Sequence, residues 1–156
     1  MRDDHTMPDA PWHEIRPHLW MGGHQWLDPA GQLRDAVVRG EFDLVVTLID
    51  QAGHGPPPGV EHHVLAIPDG PLTDTQLVAV GEVAARVAAG VSARRTTLVR
   101  CRVGFNRSGL VVALALVALG IDTAAAVELV RRRRSARALN NDLFVQYLHT
   151  RLGSSG

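Results

Sequence analysis

Thr96-Thr97-Leu98-Val99-Arg100-Cys101-Arg102-Val103-Gly104-Phe105-Asn106-Arg107-Ser108-Gly109 is the stretch on which the fold of this chain turns. Thr96 to Val99 is β-branched and apolar, the composition of a buried strand. Leu110 to Ile121 is apolar, rich in alanine and free of charge, the composition of a buried helix. Between them lies a glycine-containing turn with a cysteine at its start and an arginine six residues further on. A loop between strand and helix can curl so that successive backbone N–H groups face one cup, closed by the positive end of the helix dipole. Such a cup fits a tetrahedral dianion. Arg107 can add a planar fork to two of its oxygens, and the same field favours Cys101 as a thiolate.

Working outward, segments of strand composition alternate with segments of helix composition. Ile15 to Gly22 reads as an early strand. Pro29 to Arg39 carries Leu33, Ala36 and Val37 at helical spacing and stops at Gly40, so it reads as a helix. Leu44 to Ile49 is nearly all apolar and reads as a central strand buried on both faces. Gln51 to Gly59, with Pro56-Pro57-Pro58, is a loop. Val64 to Ile67 reads as the next strand, closed by Pro68-Asp69-Gly70-Pro71. A helix then starts near Thr73 or Thr75, presents Leu77, Val80, Ala84, Val87 and Val91 on one face, and ends at Gly90. Asp122 caps a helix through Arg134. Asn140 or Asn141 caps a last one through Arg151, with Phe144, Leu148 and Leu152 inward. The expectation is one α/β domain with a central, mostly parallel sheet flanked by helices on both faces. In such a sheet the functional crevice lies at the carboxyl ends of the strands, where Cys101 falls.

The 156 residues fit one domain, and 46% hydrophobic with 21% charged residues is ordinary for a globular chain. Sixteen basic and sixteen acidic residues give a formal net charge of zero, so no global field calls for nucleic acid or a membrane. The single cysteine excludes an intramolecular disulfide and leaves no second thiol to resolve Cys101. The N-terminus has no apolar signal core, and Gly109 to Ile121 is shorter than the ~20 residues that span a bilayer. A cytoplasmic protein is expected. His62 and His63, adjacent on a strand, face opposite sides and cannot form a ligand pair, so no metal and no cofactor is expected.

The run Cys-x-x-Gly-x-x-Arg-Ser-Gly resembles the phosphate-binding loop of the cysteine-dependent protein tyrosine phosphatases, and the short chain looks most like their dual-specificity branch. Leu19-Trp20-Met21-Gly22 is similar to the opening common in that branch. Residues 1–12, polar with Pro8 and Pro11, read as a flexible N-terminus and Gly153 to Gly156 as a flexible tail, and the resemblance implies a phosphatase domain over 13–152. It also implies roles. Cys101 would be the nucleophile of a phosphocysteine mechanism, and Arg107 the clamp on the transferring phosphoryl group. Arg102, Val103, Gly104, Phe105, Asn106 and Arg107 would line the phosphate. Ser108 would help the sulfur leave, unless it only caps the helix. Asp69, 32 residues before Cys101, would be the general acid. Asp74 is the rival, although a helix cap is an ordinary task for it.

Arg131 would sit near the rim of the pocket. The run Arg131 to Arg134 goes around the whole helix, so at least one of its members should point toward the packed side or the helix end. One position departs from the family: Arg100 stands where a histidine that orders the loop is usual. Arg100 could supply positive field to the cup or point away from it. The implied substrate is a phosphorylated protein, phosphotyrosine first, with phosphate, sulfate or vanadate as simple occupants of the loop. Phe105-Asn106 is similar to loops of RNA 5′-triphosphatases, so RNA ends stand second. A weakly catalytic phosphate-binding module, motivated by Arg100, stands third. The paired lysines of phosphoinositide phosphatases are missing, which argues against a lipid.

Overall fold

A computed structural model describes residues 7–152. Of the ends expected to be flexible, 1–12 and 153–156, residues 1–6 and 153–156 lie outside the described residues, as does the side chain of Leu152. Residues 8–12 are tied down: Leu27 N–H donates to the Pro8 carbonyl and Gly23 N–H to that of Pro11.

Among the described residues seven strands form: β1 (Trp12–Arg16), β2 (Leu19–Gly22), β3 (Gln25–Leu27), β4 (Leu33–Asp35), β5 (Leu44–Thr47), β6 (Glu61–Val64) and β7 (Thr97–Arg100). The helices are α1 (Asp74–Ser92), α2 (Arg107–Ala118), α3 (Thr123–Arg133) and α4 (Asp142–Tyr147), the last running into a π turn at Leu148–Leu152. A five-stranded sheet has the order β1-β2-β7-β5-β6, and β3-β4 is a separate hairpin. Only β1 runs antiparallel to its neighbour, so the expected α/β domain with a mostly parallel sheet is what forms. β7 sits at its centre, and Leu98, Val99 and their neighbours are buried on both faces. The strand that leads into Cys101 is therefore held from two sides.

The helix expected over Pro29–Arg39 does not exist. The Asp28 carboxylate accepts the N–H groups of Ala30 and Gln32 at 2.9 Å each and the Arg34 guanidinium at 2.7 Å. This turn reverses the chain into the β3–β4 hairpin, since side-chain bonds to nearby backbone compete directly with helix formation. The sheet consequently keeps helices on one face. The buried residues of all four helices join one cluster with Leu19, Met21, Val46 and Val99. The opposite face packs Val45 and Leu98 against Val38, Phe42, Trp12 and Trp20, none of them helical. The Trp12 and Phe42 rings meet edge-on at 5.2 Å, filling with aromatic area the space a helix would take.

Smaller departures have equally local causes. The early strand over Ile15–Gly22 is two, reversed at Pro17-His18, where His18 has φ 75°. The strand expected at Val64–Ile67 pairs earlier, at Glu61–Val64, because an edge strand facing solvent needs no apolar run. Leu65 and Ile67 still donate to β5 and the residue after it, so the chain stays beside the sheet until the Asp69 loop. Gly90 lies inside α1, packed against Leu44 and Thr97, and the helix continues to Ser92. Thr73, in a capping box with Gln76, caps α1, which leaves Asp74 as its first residue. Asp122 and Asn141 cap α3 and α4.

Candidate active site

The loop from Cys101 to Asn106 joins β7 to α2 at the carboxyl end of the parallel strands. Its shape follows from where its carbonyls go. The Cys101 carbonyl accepts from the His24 ring Nδ1 at 2.9 Å, and the Arg102 carbonyl from His24 N–H at 2.8 Å. Arg134 takes the next two, with one terminal nitrogen 2.9 Å from Val103 O and its Nε 3.1 Å from Gly104 O. Leu139 N–H takes the Phe105 carbonyl at 3.0 Å. Five consecutive carbonyls are thus held from outside the loop. A trans peptide points its N–H opposite to its C=O. The N–H groups of residues 102–106 therefore turn the other way, away from those partners.

Two glycines make this wrapping possible. Gly104 has φ +88°, and a Cβ there would run into the Gly22 carbonyl and the Arg134 guanidinium. Gly23 carries the end of β2 so close that a Cβ would lie 2.6 Å from Val103 O. Neither position tolerates a side chain.

The pocket has a volume of about 390 Å³, with Cys101, Arg102, Val103, Phe105, Asn106 and Arg107 from the loop in its lining. Gly104, expected there too, is buried and not part of the lining. The Cys101 side chain is 2% exposed. Ser108 Oγ lies 3.4 Å from Cys101 Sγ, inside α2 and fully buried. The hydroxyl thus faces the sulfur and does not cap the helix; the N-cap position belongs to Asn106, which makes no side-chain cap of its own. Arg107 donates from one terminal nitrogen to the Ile67 carbonyl at 3.1 Å, while its buried Nε meets no partner among the described residues.

Across the mouth stands Asp69, exposed on the loop after Ile67 and in the pocket lining. One carboxylate oxygen accepts from the Asn106 amide at 3.1 Å and the other from the Asn141 amide at 2.8 Å. Asn140 Oδ1 accepts from Asn106 as well, and Asn141 N–H donates to Asn106 Oδ1. Asp74 is outside the lining.

Arg131 is not at the rim. Its guanidinium donates to the Ala138 and Leu139 carbonyls at 3.0 and 2.8 Å, fixing the turn after α3. The cation that lines the pocket from this region is Arg137. Residues three apart share a helix face, so Arg131 and Arg134 both turn inward while Arg132 and Arg133 are exposed. Arg134 is buried with its guanidinium 6.0 Å from the Phe105 ring centre, also donating to Ala10 O and meeting His13 Nδ1. Burial pulls its pKa down to about 10, which leaves it a cation at neutral pH.

Arg100 points away from the cup. Fully buried, it donates to Thr47 Oγ1 at 3.0 Å, to His54 O at 2.9 Å and to Gly55 O. Burial lowers its pKa to about 10, and it too stays charged. The loop 51–55 is thereby fastened to the centre of the sheet.

His24, Arg134, Arg137, Asn140 and Asn141 are members of this site that the sequence did not single out in these roles. Only Arg134 left a trace, as one of an arginine run expected to point at least one member toward the packed side or the helix end. Among the described residues, no three His, Cys, Asp or Glu side chains are grouped to hold a metal, and no helix is long and apolar enough to cross a membrane.

No protein-family model matches this sequence, and no curated protein matches it. Solved structures do. A human dual-specificity phosphatase, DUSP28, superposes with a TM-score of 0.70 at 23% identity, over 95% of this chain and 99% of that one. A mouse putative dual-specificity phosphatase, solved with zinc tungstate, gives 0.63 at 21% identity over 89% of each chain. The Orf virus tyrosine phosphatase OH1 gives 0.65 at 15% identity, over 96% of this chain and 91% of its own. With its parallel sheet, its helical face and a Cys101–Arg107 loop wrapped by five held carbonyls, this chain has the fold of the dual-specificity and tyrosine phosphatases.

Proposed function

We propose that this protein is a phosphomonoesterase that works through a phosphocysteine, with phosphotyrosine in proteins as its first substrate class. The observation that carries the reading is the wrapped loop, in which Cys101, Arg102, Val103, Phe105, Asn106 and Arg107 line one pocket while the carbonyls of residues 101–105 are held from outside it. The thiolate attacks phosphorus, the P–O bond to the leaving group breaks, and Asp69 gives that oxygen its proton. The loop N–H groups and Arg107 meet the charge on the three equatorial oxygens. Water then attacks the phosphocysteine, Asp69 takes its proton, and Sγ leaves with the Ser108 hydroxyl 3.4 Å away to hydrogen-bond the returning thiolate. Inorganic phosphate is released.

The position of Asp69, in the lining of the same pocket as Cys101 and Arg107, supports a reaction that uses a carboxylic acid. This favours an ester with a poor leaving group over the anhydride of an RNA 5′-triphosphate. The mouse phosphatase was solved with zinc tungstate, and tungstate is a tetrahedral oxyanion of the kind such a cup accepts.

The deciding experiment is a kinetic panel on phosphotyrosine, phosphoserine and phosphothreonine peptides and triphosphate-ended RNA, with acid-quench trapping of radiolabelled phosphate on the protein. Fastest turnover on phosphotyrosine with label on Cys101 is expected. Turnover confined to RNA ends, or hydrolysis with no labelled protein, overturns the reading.

A further inference from the structure

We propose that His24 is a positioning residue of the phosphate cup, setting the peptides that follow the nucleophile so that they can wrap a tetrahedral oxyanion. The inference rests on the cup being a phosphate site. His24 stands just past β2, is 1% exposed, and is 77 positions from Cys101 in the chain. A carbonyl can only accept, so the ring, 2.9 Å from the Cys101 carbonyl, carries its proton on Nδ1. The backbone N–H of the same residue holds the Arg102 carbonyl at 2.8 Å. One residue therefore fixes two successive peptides, and through them the directions of the Arg102 and Val103 N–H groups.

The ring itself is held. It meets the His54 ring edge-on at 4.8 Å, and the His54 carbonyl accepts from Arg100 at 2.9 Å. Arg100 thus supports the ring that holds the peptide next to it in sequence. Burial, with Arg100, His54 and Arg102 as cationic or titratable neighbours, pushes the His24 pKa down to about 4. The ring stays a neutral donor near neutral pH. Its Nε2 is buried and meets no partner among the described residues, so the carbonyl of Cys101 is the one polar contact that explains an imidazole here.

The test uses the whole chain with His24→Ala, His24→Asn and His24→Gln. An asparagine amide places an N–H where Nδ1 stands, and a glutamine amide reaches the position of Nε2. Tungstate affinity is read by calorimetry, independently of turnover, and kcat and KM are read on p-nitrophenyl phosphate. Losing one buried hydrogen bond should weaken tungstate binding in His24→Ala about 10-fold and lower kcat by more than it changes KM. His24→Asn should return both to within about 3-fold of wild type, and His24→Gln should not. The proposal is overturned if folded His24→Ala binds and turns over as wild type does. It is also overturned if Asn and Gln behave alike, the comparison that decides should His24→Ala not fold. Wild-type protein that binds tungstate without hydrolysis would refute the hydrolase reading, while the binding arm still judges His24. Wild type that binds no tungstate overturns both.

Discussion

The floor of the pocket and its mouth are built differently. The floor is fastened from behind by buried groups: His24 on two carbonyls, Arg134 on two more, and a backbone N–H on the fifth. The mouth is fastened at the surface, where the Asp69 carboxylate is held by the amides of Asn106 and Asn141. A hydrogen bond shielded from water is stiff, because breaking it strands a buried polar group; an exposed one exchanges with water at little cost. The floor must stay fixed because it binds charge as charge develops. The mouth must let its carboxyl change partners, since a proton donor has to release an amide to face the leaving oxygen.

Disabling each part in turn should show that contrast, and the chemistry at the floor should weigh most. Cys101→Ser should have no measurable turnover while still binding vanadate, because a serine hydroxyl is not ionised at neutral pH. Residual hydrolysis in that variant would rule out the covalent route.

Asp69→Asn should slow phosphotyrosine hydrolysis by ~10²–10⁴-fold. The loss should shrink on esters of acidic phenols, which need little proton donation. Linear free-energy plots of kcat/KM against leaving-group acidity will show whether the slope steepens as expected. Arg107→Lys follows at ~10²–10³-fold in kcat, since a point charge cannot reproduce the planar fork. A wild-type rate would remove Arg107 as the clamp.

At the mouth the expected effects are small. Asn106→Ala removes one exposed donor to Asp69 and should lower kcat/KM on phosphotyrosine by roughly 2–10-fold, the worth of a single hydrogen bond. On an ester of an acidic phenol it should do nothing. An equal loss on both substrates would mean that Asn106 acts on the phosphate.

The buried floor also predicts a pH effect on stability. His24 titrates near 4 in the fold and near the ordinary 6.5 once unfolded. Between those values the unfolded chain binds the extra proton, so stability rises with pH across this window and is level above it. The amount is on the order of 2–3 kcal/mol. His13 and His62, both lowered mainly by burial, act in the same direction. Urea unfolding at pH 4.5 and pH 7 should reveal the difference, and His24→Asn should reduce it.

The sequence by itself determined the centre of this protein. A β-branched run, a glycine turn with cysteine and arginine six apart, and an uncharged helix specify strand, cup and helix through interactions between near neighbours, and those are legible in order along the chain. The spacing of Asp69 from Cys101 was legible too. It misread the region 29–39, where hydrophobic spacing suggested a helix but Asp28 closes a turn, and with it one whole layer of the fold. It could not show what Arg100 does, because a buried cation is defined by acceptors such as Thr47, His54 and Gly55, which are distant in the chain. Nor could it assign the rim to Arg137 or the loop to His24 and Arg134. The roles of His24 and Arg134 rest on a few hydrogen bonds across as many as 77 positions, and only the tertiary packing of the ends of β2 and α3 against the loop brings those atoms together.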